Sequence, residues 1–194
     1  MKSITLRVAR TEDAPALADI YRYYVEQTAI SFEYEAPDAA EMERRRVTIS
    51  ALYPYLVAES GGRILGYAYA HPFIARAAYD WSVELTIYLA PGERHHGLGR
   101  ALYAKVEVIL AAMDVTNANA CIGVPREADD PYLTDNSLAF HEHIGYRRVG
   151  TFTCSGYKFG RWYDMSWVEK ILAPHTVPAA PIKSFADVRA EFDL

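Results

Sequence analysis

Apolar residues recur along this chain with two periods, one typical of helices and one typical of strands. The clearest helical segment is 97–113, whose apolar positions form one stripe: Leu98, Ala101, Leu102, Val106, Ile109, Leu110 and Met113. Alternation marks the segment 79–89, where Val83, Leu85, Ile87 and Leu89 share one face. The pattern therefore predicts a long strand followed by a long helix.

Turn and cap signals divide the rest of the chain. Thr11 is a candidate N-cap for a helix that ends near Gln27, and Asp38 opens a second helix that ends near Leu52. Its three arginines, 44–46, are expected on a solvated face. A further helix runs from 134 or 135 to 144. The predicted strands are 4–8, 55–59, 64–71, 79–89, 120–124, 148–154 and 161–172.

The resulting order is β-α-α-β-β-β-α-β-α-β-β, which differs from the regular alternation of a doubly wound fold. It indicates an α/β (α+β) domain with a mixed sheet and helices on both faces. We expect one domain over 1–172, followed by a C-terminal arm over 173–194 with a short helix from Ser184. The apolar face of that helix (Phe185, Val188 and Phe192) is expected to dock on the domain or on a second subunit.

Composition limits the class of protein. Of 194 residues, 51% are hydrophobic and 23% charged, as in an ordinary globular domain. The net charge of −5 gives no uniform attraction to nucleic acid or anionic lipid, and no signal segment or membrane span is evident. Cys121 and Cys154 form neither a disulfide framework nor a metal-ligand cluster. We therefore expect a cytoplasmic protein without nucleic-acid or membrane partners and without a metal.

The segment between the long strand and the long helix contains Gly97 and Gly99 among basic side chains. A helix start exposes unpaired backbone amides that attract anions. A Walker A loop requires Lys where this chain has Arg100, and a dinucleotide fingerprint requires Gly or Ala where it has Leu102. The segment thus predicts an anion site of another kind, or a turn that needs glycine only for its backbone geometry.

The pattern Arg94-x-x-Gly97-x-Gly99 resembles the pyrophosphate loop of the GNAT superfamily of acetyl-coenzyme A-dependent N-acetyltransferases, whose element order matches from the first strand to about Leu172. Further blocks resemble the phosphinothricin N-acetyltransferase group: Ala78-Tyr79-Asp80-Trp81 with Glu84, 53–59, His141-Glu142-x-x-Gly145-Tyr146 and Gly156-Tyr157-Lys158-Phe159-Gly160-x-Trp162-x-Asp164. The resemblance implies a GNAT fold with a mostly antiparallel, twisted sheet of six to seven strands, and acetyl-CoA as co-substrate.

Glu84 lies within an apolar strand, on the face that it shares with Thr86 and Tyr88. A carboxylate in such a segment is costly unless it is paired, hydrated or functional. Partial burial raises its pKa toward a value suited to a base, and an amine must lose a proton to attack a thioester. From the residues alone, a structural salt bridge is an equal alternative. The resemblance implies that Glu84 is the general base.

His141 falls on the inward stripe of its predicted helix, between Leu138 and Ile144. A lone inward histidine is commonly a core residue with satisfied hydrogen bonds. The resemblance places the matching histidine in the catalytic cleft, which implies a role in proton transfer or in orienting Glu84. His143 is expected at the surface. Direct transfer from the thioester requires no cysteine nucleophile.

The resemblance also implies a set of cofactor-binding residues. They are Thr86, Ile87, Tyr88, Leu89, Arg94, His95, His96, Gly97, Leu98, Gly99 and Arg100. In many GNAT enzymes an asparagine just before the next helix bonds the pantetheine arm. That slot falls on Thr134 in this chain, so we assign the contact to Asn136, two residues later.

The acceptor amines of the resembling group are phosphinothricin, methionine sulfoximine and methionine sulfone. Arg76 matches the arginine that binds the substrate carboxylate, and Tyr79 and Phe32 match residues that line the pocket. A lysine that some members carry two residues before the arginine is Ile74 here. This difference favours an acceptor that is less charged than phosphinothricin. The acidic loop 126–135 is either a lid or an idle insertion.

Two other functions stay open. Acetylation of a peptide or protein N-terminus requires an open groove in place of a closed pocket around Arg76. A coenzyme A-binding regulatory module requires neither Glu84 nor His141. Because members of the family commonly dimerise, we expect a homodimer, and the acceptor class suggests antibiotic or herbicide resistance.

Overall fold

The computed structural model describes residues 3–93 and 97–194. In these ranges one sheet of seven strands is joined to five α-helices. The elements are β1 Thr5–Val8, α1 Ala14–Gln27, α2 Ala39–Ser50, β2 Tyr55–Ser60, β3 Arg63–Pro72, β4 Ser82–Leu89, α3 Leu98–Ala112, β5 Asn117–Val124, α4 Asn136–His143, β6 Arg147–Lys158, β7 Arg161–Ile171 and α5 Phe185–Val188. None of the helices described is long and apolar enough to cross a membrane.

The strand order is β1-β2-β3-β4-β5-β7-β6. Neighbouring strands are antiparallel except for β4 and β5, which are parallel. The predicted mixed, mostly antiparallel sheet is therefore confirmed. The chain switches to a parallel pair where α3 provides the crossover connection that parallel strands require.

The parallel pair is short. Ladder pairing between β4 and β5 covers Ser82–Glu84 and 117–119 only, although both strands continue beyond it. At the point of separation the Asn119 side-chain amide donates to the Val83 carbonyl over 3.1 Å. Beyond this point β4 remains paired with β3 along one edge, but it is no longer paired with β5 along the other. A V-shaped gap therefore opens between β4 and β5, with its vertex at the end of their ladder.

Helices cover both faces of the sheet, as predicted. On one face, α3 packs Leu102, Val106 and Ile109 against strand residues such as Leu56 and Val83. On the other face, α1 and α2 pack against a second cluster that includes Tyr55, Val57 and Tyr67. Strand alternation explains the division, because consecutive residues of β2 enter opposite clusters.

The start of α1 differs from the prediction. Thr11 is not its N-cap, because Thr11–Asp13 form a short 3-10 turn and the helix begins at Ala14. Asp13 holds this turn together by accepting from the Arg10 backbone amide and from the Arg7 guanidinium, both over 2.7 Å. Asp38, by contrast, caps α2 as expected and accepts from the Glu41 amide over 2.8 Å.

Other predicted boundaries and faces are corrected by packing. Tyr79 lies in a 3-10 turn, so β4 begins at Ser82 and not at 79. On α3, Ala101 is exposed and Tyr103 is buried. The arginines of α2 are not simply solvated, because only 11% of the Arg46 side chain is exposed, and it pairs with Glu43. The strands β5, β6 and β7 also have ends that differ by a few residues from those predicted.

The C-terminal segment folds back onto the domain. Phe185 and Val188 of α5 are buried in the cluster that contains α3, with Phe192 packed beside them. The Phe185 amide donates to the Leu52 carbonyl, and the Trp81 indole donates to the Ala180 carbonyl over 2.7 Å. This apolar face was expected to pack either on the domain or on a second subunit. In the structure it packs on the domain.

Candidate active site

Glu84 lies at the vertex of the V-shaped gap. The predicted alternation of β4 is confirmed, because Val83 and Leu85 are buried toward α3 while Tyr88 packs with the cluster of α1 and α2. Glu84 is on the Tyr88 face, with 21% of its side chain exposed. Burial raises the pKa of Glu84, and the nearby His71 imidazole lowers it by a smaller amount. The direction is the one that favours proton uptake near neutral pH.

The predicted residues Thr86, Ile87, Tyr88 and Leu89 form one wall of the gap. Each is paired with β3 on one side, and their second edge lies beyond the end of the β5 ladder. A strand edge of this kind offers backbone amides and carbonyls to a ligand that lies along it. At the far end the Tyr24 hydroxyl donates to the Leu89 carbonyl over 2.6 Å and so links α1 to this wall.

The N-terminus of α3 lies at the mouth of the gap. Gly97 precedes the helix with φ of 75°, a left-handed conformation that glycine adopts without a steric cost. Leu98 is buried, whereas Arg100 is exposed. A Cβ on Gly99 would lie 3.2 Å from the Phe140 ring of α4. The helix start thus presents its first-turn backbone amides in the region predicted to bind an anion. The other residues predicted for this site, Arg94, His95 and His96, lie outside the described residues.

His141 is buried on α4, as the helical stripe predicted, and His143 is exposed. The Nδ1 atom lies 2.7 Å from the Ser137 carbonyl, and Nε2 lies 2.8 Å from the Tyr103 hydroxyl. A carbonyl only accepts, so Nδ1 carries the proton and the Tyr103 hydroxyl donates to Nε2 in the neutral ring. Burial lowers the pKa of His141 to about 4, partly offset by the Ser137 bond. His141 is therefore neutral at pH 7.

Glu84 has a different imidazole beside it. His71 of β3 pairs in register with Glu84, and its Nε2 lies 3.8 Å from a Glu84 carboxylate oxygen. Among the contacts of the described residues, none joins His141 to Glu84. Sequence reasoning missed His71, because the long connection between β3 and β4 leaves their register undetermined by local pattern.

Asn136 is the first residue of α4 and is exposed. The backbone N–H of Asn136 donates to the Thr134 hydroxyl over 3.4 Å. Asp135 occupies the N-cap position of α4. The two residues considered for the pantetheine contact are therefore neighbours at the start of the helix that carries His141.

The three residues predicted for the acceptor fall on two sides. Arg76 and Tyr79 lie in the exposed turn before β4. Phe32 lies in the connection between α1 and α2 and packs against Tyr163 of β7. A Cβ on Gly156 would collide with the Phe32 ring. The described contacts do not join Phe32 to either of the other two residues.

The connection that carries Phe32 is held by Lys158, a residue that sequence reasoning did not assign. The Lys158 ammonium donates to the Thr28 carbonyl over 3.0 Å and to the Ser31 carbonyl over 2.6 Å. Only 2% of the residue is exposed. Lys158 belongs to the segment 156–164 that resembles the phosphinothricin N-acetyltransferase group, and this was the sequence signal that pointed to it. Its partners could not be predicted, because they are more than a hundred residues away in sequence.

A cavity of about 220 Å³ lies between α2 and the sheet. Its lining is mainly aromatic, with two arginines from α2: Tyr21, Met42, Arg44, Arg45, Thr48, Ile49, Tyr55, Tyr67, Tyr69, His71 and Tyr88. His71, which contacts Glu84, is part of this lining, so the cavity reaches the side of Glu84 on which His71 lies.

Cys121 is not arranged as a nucleophile. Burial raises the pKa of the Cys121 thiol to about 12, with a smaller contribution from the Glu84 charge, so the thiol is protonated at pH 7. Within the described residues, no group of three or more His, Cys, Asp or Glu side chains is arranged to hold a metal ion.

Comparison with known proteins identifies the family of the chain. The family model described as "Acetyltransferase (GNAT) domain" matches residues 6–167. Phosphinothricin N-acetyltransferase of Streptomyces coelicolor is 40% identical, with 87% of this chain and 96% of that protein covered. The protein of the same name from Streptomyces viridochromogenes is 32% identical, with 96% and 97% covered.

Among solved structures, the phosphinothricin acetyltransferase of Sinorhizobium meliloti in complex with AcCoA superimposes with a TM-score of 0.81. It is 32% identical to this chain and covers 94% of it, with 98% of that chain aligned. The matched fold includes the strands that form the gap. The chain belongs to the GNAT family of acetyltransferases and is an acyltransferase.

Proposed function

We propose that this protein transfers the acetyl group of acetyl-CoA to the amino group of a small amino acid or analogue, of the phosphinothricin or methionine sulfone type. The observation that carries the proposal is the position of Glu84. A carboxylate with a raised pKa lies at the vertex of the β4–β5 gap, next to the strand edge and helix start suited to the cofactor.

The donor groups along the gap fit acetyl-CoA. The edge of 86–88 beyond the β5 ladder suits the amide groups of a pantetheine arm. We assign Leu89, whose amide and carbonyl both bond to the Tyr24 hydroxyl, to the end of this wall. Asn136 at the start of α4 supplies a further polar side chain. The first-turn amides at Gly97, Leu98, Gly99 and Arg100 suit the pyrophosphate, and we assign Arg94, His95 and His96 to the same group. Bound acetyl-CoA supplies the thioester carbonyl that the amine attacks.

Glu84 acts as the general base in this proposal. The acceptor enters as an ammonium ion, since amines have pKa values well above 7. The Glu84 carboxylate takes its proton, and the neutral nitrogen then attacks. Its raised pKa makes the carboxylate a stronger base than a solvated glutamate.

We assign the proton for the departing thiolate to the Tyr103 hydroxyl that His141 holds in place. The hydroxyl gives its hydrogen to the sulfur, and solvent then returns a proton to the Tyr103 oxygen. The Tyr103 hydroxyl already donates to the neutral His141 ring, so the pair holds an oriented hydroxyl in the protein interior. Among the contacts of the described residues none joins His141 to Glu84, which disfavours the alternative in which His141 orients Glu84.

The acceptor pocket includes Phe32, Arg76 and Tyr79. The Arg76 guanidinium binds the carboxylate of the amino acid, as exposed arginines do in bidentate pairs. With Ile74 in place of a lysine, a second anionic group has one fewer cationic partner. Methionine sulfone, whose side chain is uncharged, is therefore expected to be a better acceptor than phosphinothricin.

The test is a set of initial rates of thiol release across amines. The panel contains phosphinothricin, methionine sulfone, methionine sulfoximine, free amino acids, an aminoglycoside, a polyamine and a peptide with a free N-terminus. Saturable turnover confined to the amino acids and analogues supports the proposal, and preference for the peptide supports the N-terminal alternative. Coenzyme binding without turnover of any amine would overturn the assigned acceptor.

A matched pair of variants tests Glu84. We expect Glu84→Gln to lower kcat by about 10² to 10⁴, the usual contribution of general base catalysis, with acetyl-CoA affinity unchanged. Asp80→Asn is the control, since this exposed carboxylate lies four residues earlier. Wild-type turnover by Glu84→Gln would contradict the role of Glu84 and favour a binding module.

We also propose that the protein is a cytoplasmic homodimer without nucleic-acid or membrane partners. Edge strand β6 and its hairpin partner expose large apolar side chains: Val149, Phe152, Tyr157 and Trp162. A second copy of the chain would cover this surface. The C-terminal helix contributes less, since its apolar face is already buried. Tolerance of an expression host to phosphinothricin or methionine sulfoximine tests a resistance role.

A further inference from the structure

His71 is the side chain closest to the Glu84 carboxylate among the ion-pair contacts described. The two residues face each other across the β3–β4 ladder. Their separation of 3.8 Å is about 1 Å longer than an ordinary N–H···O hydrogen bond. Such contacts are commonly long in the free enzyme and shorten when substrate binds. A small side-chain rotation therefore brings the two groups into hydrogen-bond contact.

The tautomer of His71 follows from its second contact. Its Nδ1 lies 3.1 Å from the Pro72 carbonyl oxygen. Because a carbonyl oxygen only accepts, Nδ1 carries a hydrogen in this arrangement. In the neutral ring the lone pair is then on Nε2, the atom that faces Glu84. The backbone thus orients the imidazole as a proton acceptor toward the carboxylate.

His71 also has a route to solvent. About a third of its side chain, 32%, is exposed, and the ring lines the cavity between α2 and the sheet. The charged and titratable groups that contact His71 or line the same cavity come from five elements: Glu84 and Tyr88 of β4, Tyr67 and Tyr69 of β3, Tyr55 of β2, Arg44 and Arg45 of α2, and Tyr21 of α1.

The charges of the two arginines in this cavity are balanced by carboxylates. Arg44 pairs with Glu41, and Arg45 pairs with Glu33 and Glu41. Within the described residues, Glu84 is the carboxylate that makes an ion-pair contact with His71. The tyrosines are protonated at neutral pH, since burial raises the pKa of Tyr69, Tyr88 and Tyr21.

We propose that His71 is a positioning residue for Glu84 and relays the acceptor's proton from the carboxyl group to solvent. The inference rests on the proposed role of Glu84 as general base. The ammonium gives one proton to the Glu84 carboxylate, and the resulting O–H gives that proton to Nε2 of His71. The imidazolium keeps its Nδ1–H on the Pro72 carbonyl, and a water molecule that enters the cavity beside the ring takes the Nε2 proton. Glu84 returns to its ionised form for the next turnover.

The first test is the pH profile of kcat/KM for methionine sulfone in wild type, His71→Gln and the control His143→Gln. The His71 imidazole lowers the pKa of Glu84, so its removal raises the pKa of the base. We expect the acid limb of His71→Gln to move up by about one pH unit, a tenfold loss of rate on that limb. The exposed His143 is expected to leave the profile unchanged. An unmoved acid limb in His71→Gln overturns the proposal.

A second measurement does not depend on activity. The ring signals of His71 are compared by NMR in wild type and in Glu84→Gln. We expect the Nε2 signal to change in Glu84→Gln, because the carboxylate that faces this atom across 3.8 Å is gone. Unchanged ring signals show that the two groups do not interact, which overturns the relay.

The outcomes separate this inference from the proposed function. If wild type acetylates an amino acid, Glu84→Gln is inactive and His71→Gln keeps the wild-type profile, the relay alone is overturned. If wild type acetylates none of the amines, the proposed acceptor class fails, and the NMR comparison of the His71 ring still decides whether His71 and Glu84 interact. Added imidazole that restores the rate of His71→Gly would support the relay, since the small ring fits the cavity.

Discussion

The Lys158 ammonium of strand β6 donates to the Ser31 carbonyl over 2.6 Å, across 127 positions of sequence. A second hydrogen bond joins it to the Thr28 carbonyl. These two bonds fasten the connection that carries Phe32 to the hairpin of β6 and β7. One side of the proposed acceptor pocket is therefore positioned by a buried lysine that bonds to two backbone carbonyls.

Lys158→Met removes both donors and leaves two buried carbonyls without these partners. We expect a loss of about 2–3 kcal/mol in the free energy of unfolding, measured by urea titration. The KM of the amine is expected to rise, and the KM of acetyl-CoA is expected to stay unchanged. The control is Lys183→Met, which removes a largely exposed lysine paired with Asp114. Equal effects on both KM values would contradict a local role for Lys158.

Gly156→Ala tests the position of the Phe32 ring by adding a methyl group on β6, against which the ring packs. The added Cβ collides with the Phe32 ring, so the ring must move away from β6. We expect a stability loss of about 1–3 kcal/mol, typical of overpacking, and a higher KM for the amine. Gly150→Ala is a matched control on the same strand, because a Cβ there meets nothing within 4 Å. The same amine KM in both variants would show that Phe32 does not line the pocket.

His141 makes stability depend on pH. Its pKa is about 4 in the folded protein and about 6.5 in an unfolded chain. The unfolded chain therefore binds more protons between these values, and stability is lost as the pH falls from 6.5 toward 4. From pH 8 to pH 5 we expect a loss of about 2 kcal/mol from this residue.

The measurement is urea unfolding at both pH values for wild type, His141→Asn and His143→Asn. His141→Asn is expected to be less stable at pH 8 and to lose less stability on acidification. His143→Asn is expected to follow wild type. A wild-type slope in His141→Asn would show that the buried imidazole is not the source of the effect.

Glu84 is expected to have the opposite dependence. Burial raises its folded-state pKa above the ordinary value, so the folded protein holds this proton more tightly than the unfolded chain. Stability is then highest at low pH and falls as the pH rises through the folded-state pKa. We expect Glu84→Gln to be more stable than wild type at pH 8, with the advantage disappearing near pH 4. Thermal unfolding at the two pH values measures the difference, and a less stable variant at pH 8 contradicts the sign.

The apolar surface of β6 predicts the oligomeric state. Sedimentation is expected to give twice the chain mass of 21.8 kDa. The double substitution Phe152→Arg and Trp162→Arg places charges on this exposed surface and is expected to produce a monomer. Val108→Arg, at an exposed apolar position of α3, is the control and is expected to stay dimeric. A monomeric wild type would overturn the dimer.

Much of the fold followed from local pattern. Alternation along 82–89 placed Glu84 on the face opposite Val83 and Leu85, and the apolar stripe of 97–113 located α3. These predictions were confirmed because each depends on the period of one element and on which side meets the core. The N-cap at Thr11 was wrong, since Asp13 holds residues 11–13 in a 3-10 turn through Arg7 and Arg10. Ala101, which was assigned to the apolar stripe of α3, is exposed.

The sequence by itself determined the family, the order of elements and the position of Glu84 within an apolar strand. Only the tertiary structure decided that β4 and β5 separate just beyond Glu84, that His71 is its neighbour and that Lys158 holds the Phe32 connection. The physical reason is that strand register, the end of a ladder and hydrogen bonds between distant segments depend on how whole elements pack. Local periodicity records which face of an element is buried, but it carries no information on which distant residue lies opposite.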